Sequence, residues 1–230
     1  MMLHKIDIDN KNIFLQENDS FYLEINSDVK LDISVNKNID AKLIIIGNSS
    51  YDLNIKLYDN ASLIVNSINK DNNTNINIDL EKETNILYNH SVLGRKDSIH
   101  NFNIVHIGNN STSLINNNGI NLDINKLFFN INGNIPSNLL DISCSQNSKI
   151  INYNKGNSKI IPNLIIDSND IVANHSAYIG TIDNEILFYL QSRGIKKETI
   201  EKMIYKATML GKMNLDEERE MFNKIIDEWW

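Results

Sequence analysis

The period of the apolar residues constrains this chain most, and it changes once along the sequence. Between Phe21 and Tyr178 apolar residues recur at every second position, as in segments 53–57 and 76–80. This alternation is typical of strands that bury one face. After Asp183 the apolar residues recur at spacings of three and four, which is typical of amphipathic helices. The sequence therefore predicts a β region followed by an α region.

Polar corners divide the β region into short strands. The chain contains about 40 asparagines and nearly as many isoleucines. Isoleucine is β-branched and suits strands, whereas asparagine is poor inside strands and favours turns. We predict corners, about 10 to 13 residues apart, at 47–50, 59–60, 69–73, 108–111, 116–119 and 132–134.

The arrangement of these strands favours a parallel β-helix. No helical pattern interrupts the β region, which excludes a helix-covered parallel sheet. Two-residue hairpin turns are scarce, so the chain is expected to coil without reversing, and its coils to stabilise each other by stacking. A jelly roll is the alternative. We predict a mainly β fold, with a parallel β-helix over residues 1–182 and a small α-helical domain over 183–230.

The C-terminal segment predicts three short helices. Asp183 suits the N-cap of the first helix and Gly194 its end. Gly211 ends the second, and Asn214 with Glu217 forms a capping box for the third. We expect the apolar stripes to pack on each other and on the end of the coil, leaving a Met- and aromatic-rich surface for a partner. The stripes are Ile186, Leu187 and Leu190; Ile200, Met203, Ile204 and Ala207; and Phe222, Ile225, Ile226 and Trp229.

Charge and composition exclude several classes of protein. A formal net charge of −7 argues against a nucleic-acid surface. No apolar stretch approaches the roughly 20 residues of a membrane span, and the N-terminus lacks the apolar core of a signal peptide. The single cysteine, Cys144, excludes an internal disulfide framework. The expected location is the cytoplasm.

Few residues are candidates for chemistry, and no phosphate-loop, HExxH, GxSxG or GxGxxG motif occurs. His100 and His106 share one strand face and with an acidic residue would bind a metal, although a packed or solvated histidine is the favoured interpretation. Cys144 shares a face with Leu140 and is expected in the core; the alternative is a thiolate ligand for iron or sulfur. His175 lies among small residues at the β-to-α change.

The sequence around His175 resembles the SufB/SufD family, whose members are scaffold subunits for iron–sulfur cluster assembly. About 35 residues carry the resemblance in the family's order and spacing, and weaker landmarks extend it back to Val105. The matching segments are Pro162–Ile166, Asn169–Val172, Ala173–Ala177, Ile179–Gly180, Ile182–Asp183, Leu187–Leu190 and Ser192–Ile195.

The resemblance implies a right-handed coil and two kinds of partner. The family pairs two scaffold subunits through their β-helices, and its helical domain docks the ABC-type ATPase SufC. We therefore expect a SufC-type ATPase and a SufB-like subunit, or a second copy, as partners. The residues expected to contact the ATPase are Leu187, Phe188, Leu190, Arg193, Met203 and Ala207.

The chain resembles the SufD type more than the SufB type, as a short variant. The SufB type carries a functional cysteine and a glutamate after its histidine, where this chain has Asn147 and Ser176. The resemblance makes His175 the candidate iron or cluster ligand at the subunit interface; His106 is a weaker metal candidate. We expect no stably bound cofactor, only a transient iron–sulfur cluster between subunits.

The predicted function is a non-catalytic, SufD-like scaffold. The first alternative is a carbohydrate-active enzyme of the polysaccharide-lyase kind, which needs clustered carboxylates or basic residues on one coil face. The aspartates of this chain are scattered instead. The second alternative is a purely structural β-solenoid, which leaves the C-terminal helices unexplained.

Overall fold

Strands come first and helices follow in the computed structural model, which describes residues 3–6, 11–153, 156–213 and 218–230. The strands are β1 (Leu3–Lys5), β2 (Asn12–Leu15), β3 (Ser20–Ile25), β4 (Val29–Val35), β5 (Asp40–Gly47), β6 (Tyr51–Leu57), β7 (Ser62–Lys70), β8 (Thr74–Leu80), β9 (Asn85–Gly94), β10 (Ser98–His106), β11 (Thr112–Asn121), β12 (Lys126–Ile135), β13 (Leu140–Asn152), β14 (Asn157–Ile166) and β15 (Asp170–Gly180). The helices are α1 (Asn184–Ser192), α2 (Lys197–Leu210) and α3 (Glu218–Trp229).

The strands alternate between two parallel sheets. Odd-numbered strands form sheet A in the order β1-β3-β5-β7-β9-β11-β13-β15, and even-numbered strands form sheet B in the order β14-β12-β10-β8-β6-β4-β2. Each coil of the chain thus adds one strand to each sheet, and the crossovers are right-handed. The predicted right-handed parallel β-helix is confirmed, and the jelly-roll alternative is wrong because neighbouring strands run parallel.

The main core lies between the two sheets. Alternate side chains of both sheets point inward, and those of the middle coils are fully buried, each contributing about 1.5–3 kcal/mol. Phe21, Leu43, Val65 and Tyr88 follow one another on sheet A in this inward position; Ile33, Ile55 and Ile78 do so on sheet B.

Two predicted corners are wrong, because 116–119 lies inside β11 and 132–134 inside β12. Stacked asparagine side chains make the strand conformation favourable there: the amide of Asn116 donates to Asn89 at 2.9 Å and accepts from Asn147 at 3.1 Å. An asparagine in register with others therefore satisfies both halves of its amide inside a strand. The sheet A ladder consists of Asn66, Asn89, Asn116 and Asn147.

A longer ladder runs along the outer face of sheet B. Each amide donates to the side-chain oxygen of the preceding coil, over 2.6–3.0 Å. Successive members are 22, 23, 26, 29 and 31 residues apart, so the coils lengthen along the chain, mainly within their strands, while the register is kept. The ladder consists of Asp32, Asn54, Asn77, Asn103, Asn132 and Asn163.

Helices α2 and α3 pack on the outer face of sheet A, so the expectation that the helices cap the end of the coil is wrong. A second core joins outward-facing isoleucines of sheet A to residues of α2 and α3. Lys42 Nζ lies 2.7 Å from Glu218 Oε1, and Ser91 Oγ donates to the Met209 carbonyl at 2.5 Å. The second core contains Ile44, Ile46, Ile68, Leu93, Ile120, Ile151, Tyr205, Met209, Leu210, Met213, Phe222, Ile226 and Trp229.

The helix ends follow the sequence signals that lie in the described residues. The Glu185 amide donates to Asp183 Oδ1 at 2.8 Å, which confirms the N-cap of α1, and Gly194 follows α1 with φ +82°. The capping box at Asn214 and Glu217 lies outside the described residues. Among the described helices none is long and apolar enough to cross a membrane.

The predicted stripe of α2 is wrong in part. The helix buries Ile200 as predicted, but Met203 and Ala207 are exposed. The buried side is rotated toward Glu201 and Tyr205, because these residues face sheet A. Two predicted partner-binding residues are thereby left on the surface.

Candidate functional site

His175 lies at the open end of the coil. It belongs to β15, the last strand of sheet A, and the register places it beside Gln146 of β13. Gln146 is in turn in register with Ile115 and Tyr88, which point into the core. His175 therefore continues an inward-pointing column, yet it is exposed because no strand follows β15 in the sheet.

Polar groups lie in the coil behind His175. Gln146 is fully buried and donates from Nε2 to the Asn163 carbonyl at 3.1 Å. Its Oε1 has no hydrogen-bond partner in the part of the chain that the structure describes, and neither has Oδ1 of Asn117. Gln146 thus places a buried acceptor on the strand beside His175, and Asn117 lies one strand further in, on β11. Sequence reasoning missed Gln146, although it is in phase with Ile142 and Cys144.

The aspartates that bracket His175 in sequence do not join it. Asp170 begins the same extended strand, so five residues of rise separate the two Cα atoms by roughly 16 Å. The Asp183 carboxylate caps α1. Neither aspartate therefore completes a metal site with His175.

Cys144 is a core residue, as predicted. It lies between Ile135 and Ile142, and burial raises the pKa of its thiol, so the thiol is protonated at neutral pH. The expectation that Leu140 shares this buried face is wrong, because the register shifts between Leu140 and Ile142 and leaves Leu140 exposed. The intervening Asp141 has a φ of 54°.

His100 and His106 do share a strand face, and that face is the interior. His106 is buried with Nδ1 2.7 Å from Ser111 Oγ and Nε2 3.0 Å from Ser113 Oγ, and burial lowers its pKa to about 4. His100 lies 3.1 Å from His90, and burial lowers its pKa to about 3. No cluster of three or more His, Cys, Asp or Glu suited to a metal occurs among the described residues.

The edges of both sheets are open at the end that carries His175. β14 is the last strand of sheet B and β15 the last of sheet A. Val172 is 65% exposed on β15, and Tyr178 and Ile179 are exposed on the same strand. Ile165 and Ile166 add exposed apolar area on β14. We call these two strands the open end.

A second exposed apolar surface lies on the helices. No residue of α1 is buried, and Phe188 is 75% exposed. Leu187 and Leu190 are half-buried, and Arg193 lies over the ring of Tyr189 at 5.2 Å. We call this the helical surface; its members are Ile186, Phe188, Tyr189 and Arg193 of the α1 region and Met203 and Ala207 of α2.

Comparison with known proteins identifies the family. The profile described as "SUF system FeS cluster assembly, SufBD core domain" matches residues 52–208. The iron–sulfur cluster assembly protein SufD of Bacillus subtilis is 29% identical over 142 residues, which are 59% of this chain and 32% of that protein. SufD of Escherichia coli is 44% identical over 46 residues, 20% of this chain and 11% of that protein.

The matched region and the architecture agree. The profile covers the strands from β6 onward, the open end and nearly all of α2. The alignments span at most about a third of the length of these two relatives. The chain therefore belongs to the SufBD core-domain family of the SUF iron–sulfur cluster assembly system, and it is similar to SufD proteins.

Proposed function

We propose that this chain is a non-catalytic, SufD-like scaffold subunit in iron–sulfur cluster assembly. It pairs through the open end with a SufB-like subunit or a second copy, and it binds a SufC-type ATPase through the helical surface. The observation that carries the proposal is an uncovered sheet edge with His175 in its middle, in a chain of the SufBD family. Family membership favours this function over the polysaccharide-lyase and structural-solenoid alternatives.

The open end has the properties of a strand-pairing interface. An edge strand presents unpaired N–H and C=O groups, and proteins usually block such edges with charges or short strands. β14 and β15 have 10 and 11 residues, with Lys159 and Asp170 as their charged residues apart from the histidine. Pairing with an equivalent edge would bury exposed side chains such as Val172 and bring His175 to the contact.

The helical surface supports the second contact. A helix that buries none of its residues gains little from its own chain, so a partner that covers Phe188 and Met203 would stabilise it. Each fully covered apolar side chain of this size contributes about 1.5–3 kcal/mol.

His175 alone does not provide enough ligands for a transient iron–sulfur cluster. A neutral imidazole ligates iron, but one imidazole alone is a weak site. Cys144 is buried and protonated, so this chain does not supply it as a thiolate at the open end. The remaining ligands for a transient cluster are therefore expected from the paired subunit.

Reconstitution tests both contacts. The purified chain is mixed with the SufC-type ATPase and the SufB-like subunit from the same organism, and complexes are measured by size-exclusion chromatography with light scattering. Phe188→Asp is expected to abolish ATPase binding and to leave subunit pairing intact, whereas Val172→Asp is expected to do the reverse. Lys212→Asp, an exposed change outside both surfaces, is the control.

Circular dichroism establishes that each variant is folded. The proposal is contradicted if folded wild-type protein forms neither complex. It is also contradicted if both variants weaken the same complex. Pairing of the wild type with itself alone, without the SufB-like subunit, selects the second-copy form.

A further inference from the structure

A solvent-open cavity of about 260 Å³ lies between α2 and the C-terminal ends of β9, β11 and β13 of sheet A. Residues that follow these three strands, two residues of α2 and Trp230 line it. A neighbouring cavity of about 260 Å³ shares Tyr153 and Glu201 with it and adds Lys197. The first cavity is lined by Arg95, Leu122, Tyr153, Glu201, Tyr205 and Trp230.

Glu201 is a buried carboxylate with a weak partner. The residue is 5% exposed, and its ion pair within the described residues is with Lys197, whose Nζ lies 3.5 Å from Oε1. The Lys197 side chain is 55% exposed and one turn away on the same helix, so solvent weakens this pair. A buried carboxylate is costly unless it is well hydrogen-bonded, so Glu201 has capacity for a further donor.

Tyr205 is the second acceptor in the cavity. It is 1% exposed, and its hydroxyl has no hydrogen-bond partner among the described residues. Burial, with the nearby charge of Glu201, raises the pKa of this hydroxyl, so it stays neutral and its oxygen accepts a hydrogen bond. The carboxylate and the hydroxyl are one helical turn apart and line the same cavity.

The walls are aromatic and suit a cation. The rings of Tyr205 and Trp230 lie with centroids 5.1 Å apart at 39°, and Tyr153 lines the same cavity. Arg95 is the other charged residue of the lining. Its two terminal nitrogens donate to the carbonyl oxygens of Trp229 and Trp230 at 2.6 and 2.7 Å, so Arg95 fixes the tryptophan wall.

We propose that this cavity binds a primary alkylammonium group, whose N–H groups donate to the Glu201 carboxylate and the Tyr205 hydroxyl. The methylene chain packs against Leu122 and the tryptophan ring. A free alkylamine and the end of a lysine side chain share this chemistry. The residues of this site belong neither to the open end nor to the helical surface. Its ligand binding can therefore be tested independently of the scaffold function.

Tryptophan fluorescence measures the binding directly, because the chain's two tryptophans are Trp229 and Trp230. The full chain is titrated at constant ionic strength with n-butylammonium chloride, with Nα-acetyl-lysine amide and with tetramethylammonium chloride. We expect a saturable change with n-butylammonium at millimolar concentration. Tetramethylammonium has the same charge but no N–H donor, and it is expected to bind at least tenfold more weakly. Saturation by the lysine derivative at similar concentration identifies a lysine side chain as a competent source; its failure to bind restricts the site to free amines.

Variants separate this site from a cavity that holds only water. Glu201→Gln and Tyr205→Phe are each expected to weaken n-butylammonium binding at least fivefold. Tyr205→Phe keeps the aromatic ring, so it still tests the site if Glu201→Gln does not fold. Lys197→Gln is expected to strengthen binding, since it removes the competing cation. Glu198→Gln, an exposed change on the same helix, is the matched control and leaves the affinity unchanged. A linear, unsaturable response, or equal affinity in Tyr205→Phe, overturns the proposal.

Discussion

Mild acidification is expected to destabilise this protein steeply, at pH values above those at which carboxylates take up protons. His90, His100 and His106 are buried in the coil. Burial lowers the pKa of His100 to about 3 and of His106 to about 4, and burial together with His100 lowers the pKa of His90 well below its ordinary value. In the unfolded chain each imidazole titrates near 6.5. The unfolded state therefore binds more protons than the native state between about pH 4 and pH 6.5.

The sign and size of the effect follow from proton linkage. Stability is fully present above the unfolded pKa and falls as pH drops below it, because unfolding then takes up protons. Between pH 7.5 and pH 5.5 each buried histidine costs about 1.4 kcal/mol of the free energy of unfolding. Together the three give a loss of about 4 kcal/mol, a large part of the stability of an ordinary domain.

Urea denaturation followed by circular dichroism at pH 7.5, 6.5 and 5.5 measures this loss. His100→Leu is expected to lower stability at every pH, since it removes the ring that contacts His90 and Thr74, but to reduce the pH-dependent part by about a third. His175→Asn, at an exposed histidine, is the control and keeps the full pH dependence. A loss below about 1 kcal/mol over this range, or a pH dependence that follows His175, would refute the reasoning.

Two further pairs of substitutions test the packing of the coil by urea denaturation. Asn89→Ala leaves buried amide groups of the sheet A ladder without partners and is expected to lower the free energy of unfolding by about 2–4 kcal/mol. Asn75→Ala, on the exposed face of sheet B, is expected to lower it by about 1 kcal/mol or less, because water replaces the lost amide. Equal losses in the two variants would contradict the idea that the buried ladder stabilises the strand. Gly119→Ala places a methyl group 2.6 Å from a δ-carbon of Leu127 and is expected to cost about 1–3 kcal/mol, whereas Gly94→Ala, with its nearest neighbour at 3.8 Å, is tolerated; a reversed order would show that the coil relaxes at residue 119.

Local signals in the sequence predict much of the fold. The alternation of apolar residues predicts strands of the β-helix, and Asp183 and Gly194 mark the ends of α1, because capping and period depend on neighbouring residues alone. The continuous apolar run 43–46 signals a strand buried on both faces. It does not reveal that its outer partner is α2 and α3, more than 150 residues later in the chain.

The features that sequence reasoning missed depend on contacts between coils. Asn116 lies in a strand only because Asn89 and Asn147 are in register with it, and single-residue preferences do not contain that register. The direction of His175 likewise depends on the register shift between Leu140 and Ile142 in β13. The family resemblance makes His175 a candidate ligand, whereas finding the buried Gln146 behind it requires the strand pairing.

The asparagine ladder on sheet B gives the coil an electrical direction. Every amide donates toward the preceding coil, so the side-chain dipoles point the same way along the axis, as peptide dipoles do along an α-helix. The Asp32 carboxylate accepts from Asn54 at the positive end and compensates it. The negative end is the side-chain oxygen of Asn163, which lies on β14, the last strand of sheet B at the open end. A subunit that docks there meets a slightly negative face and is favoured if its own edge is basic or rich in N–H donors.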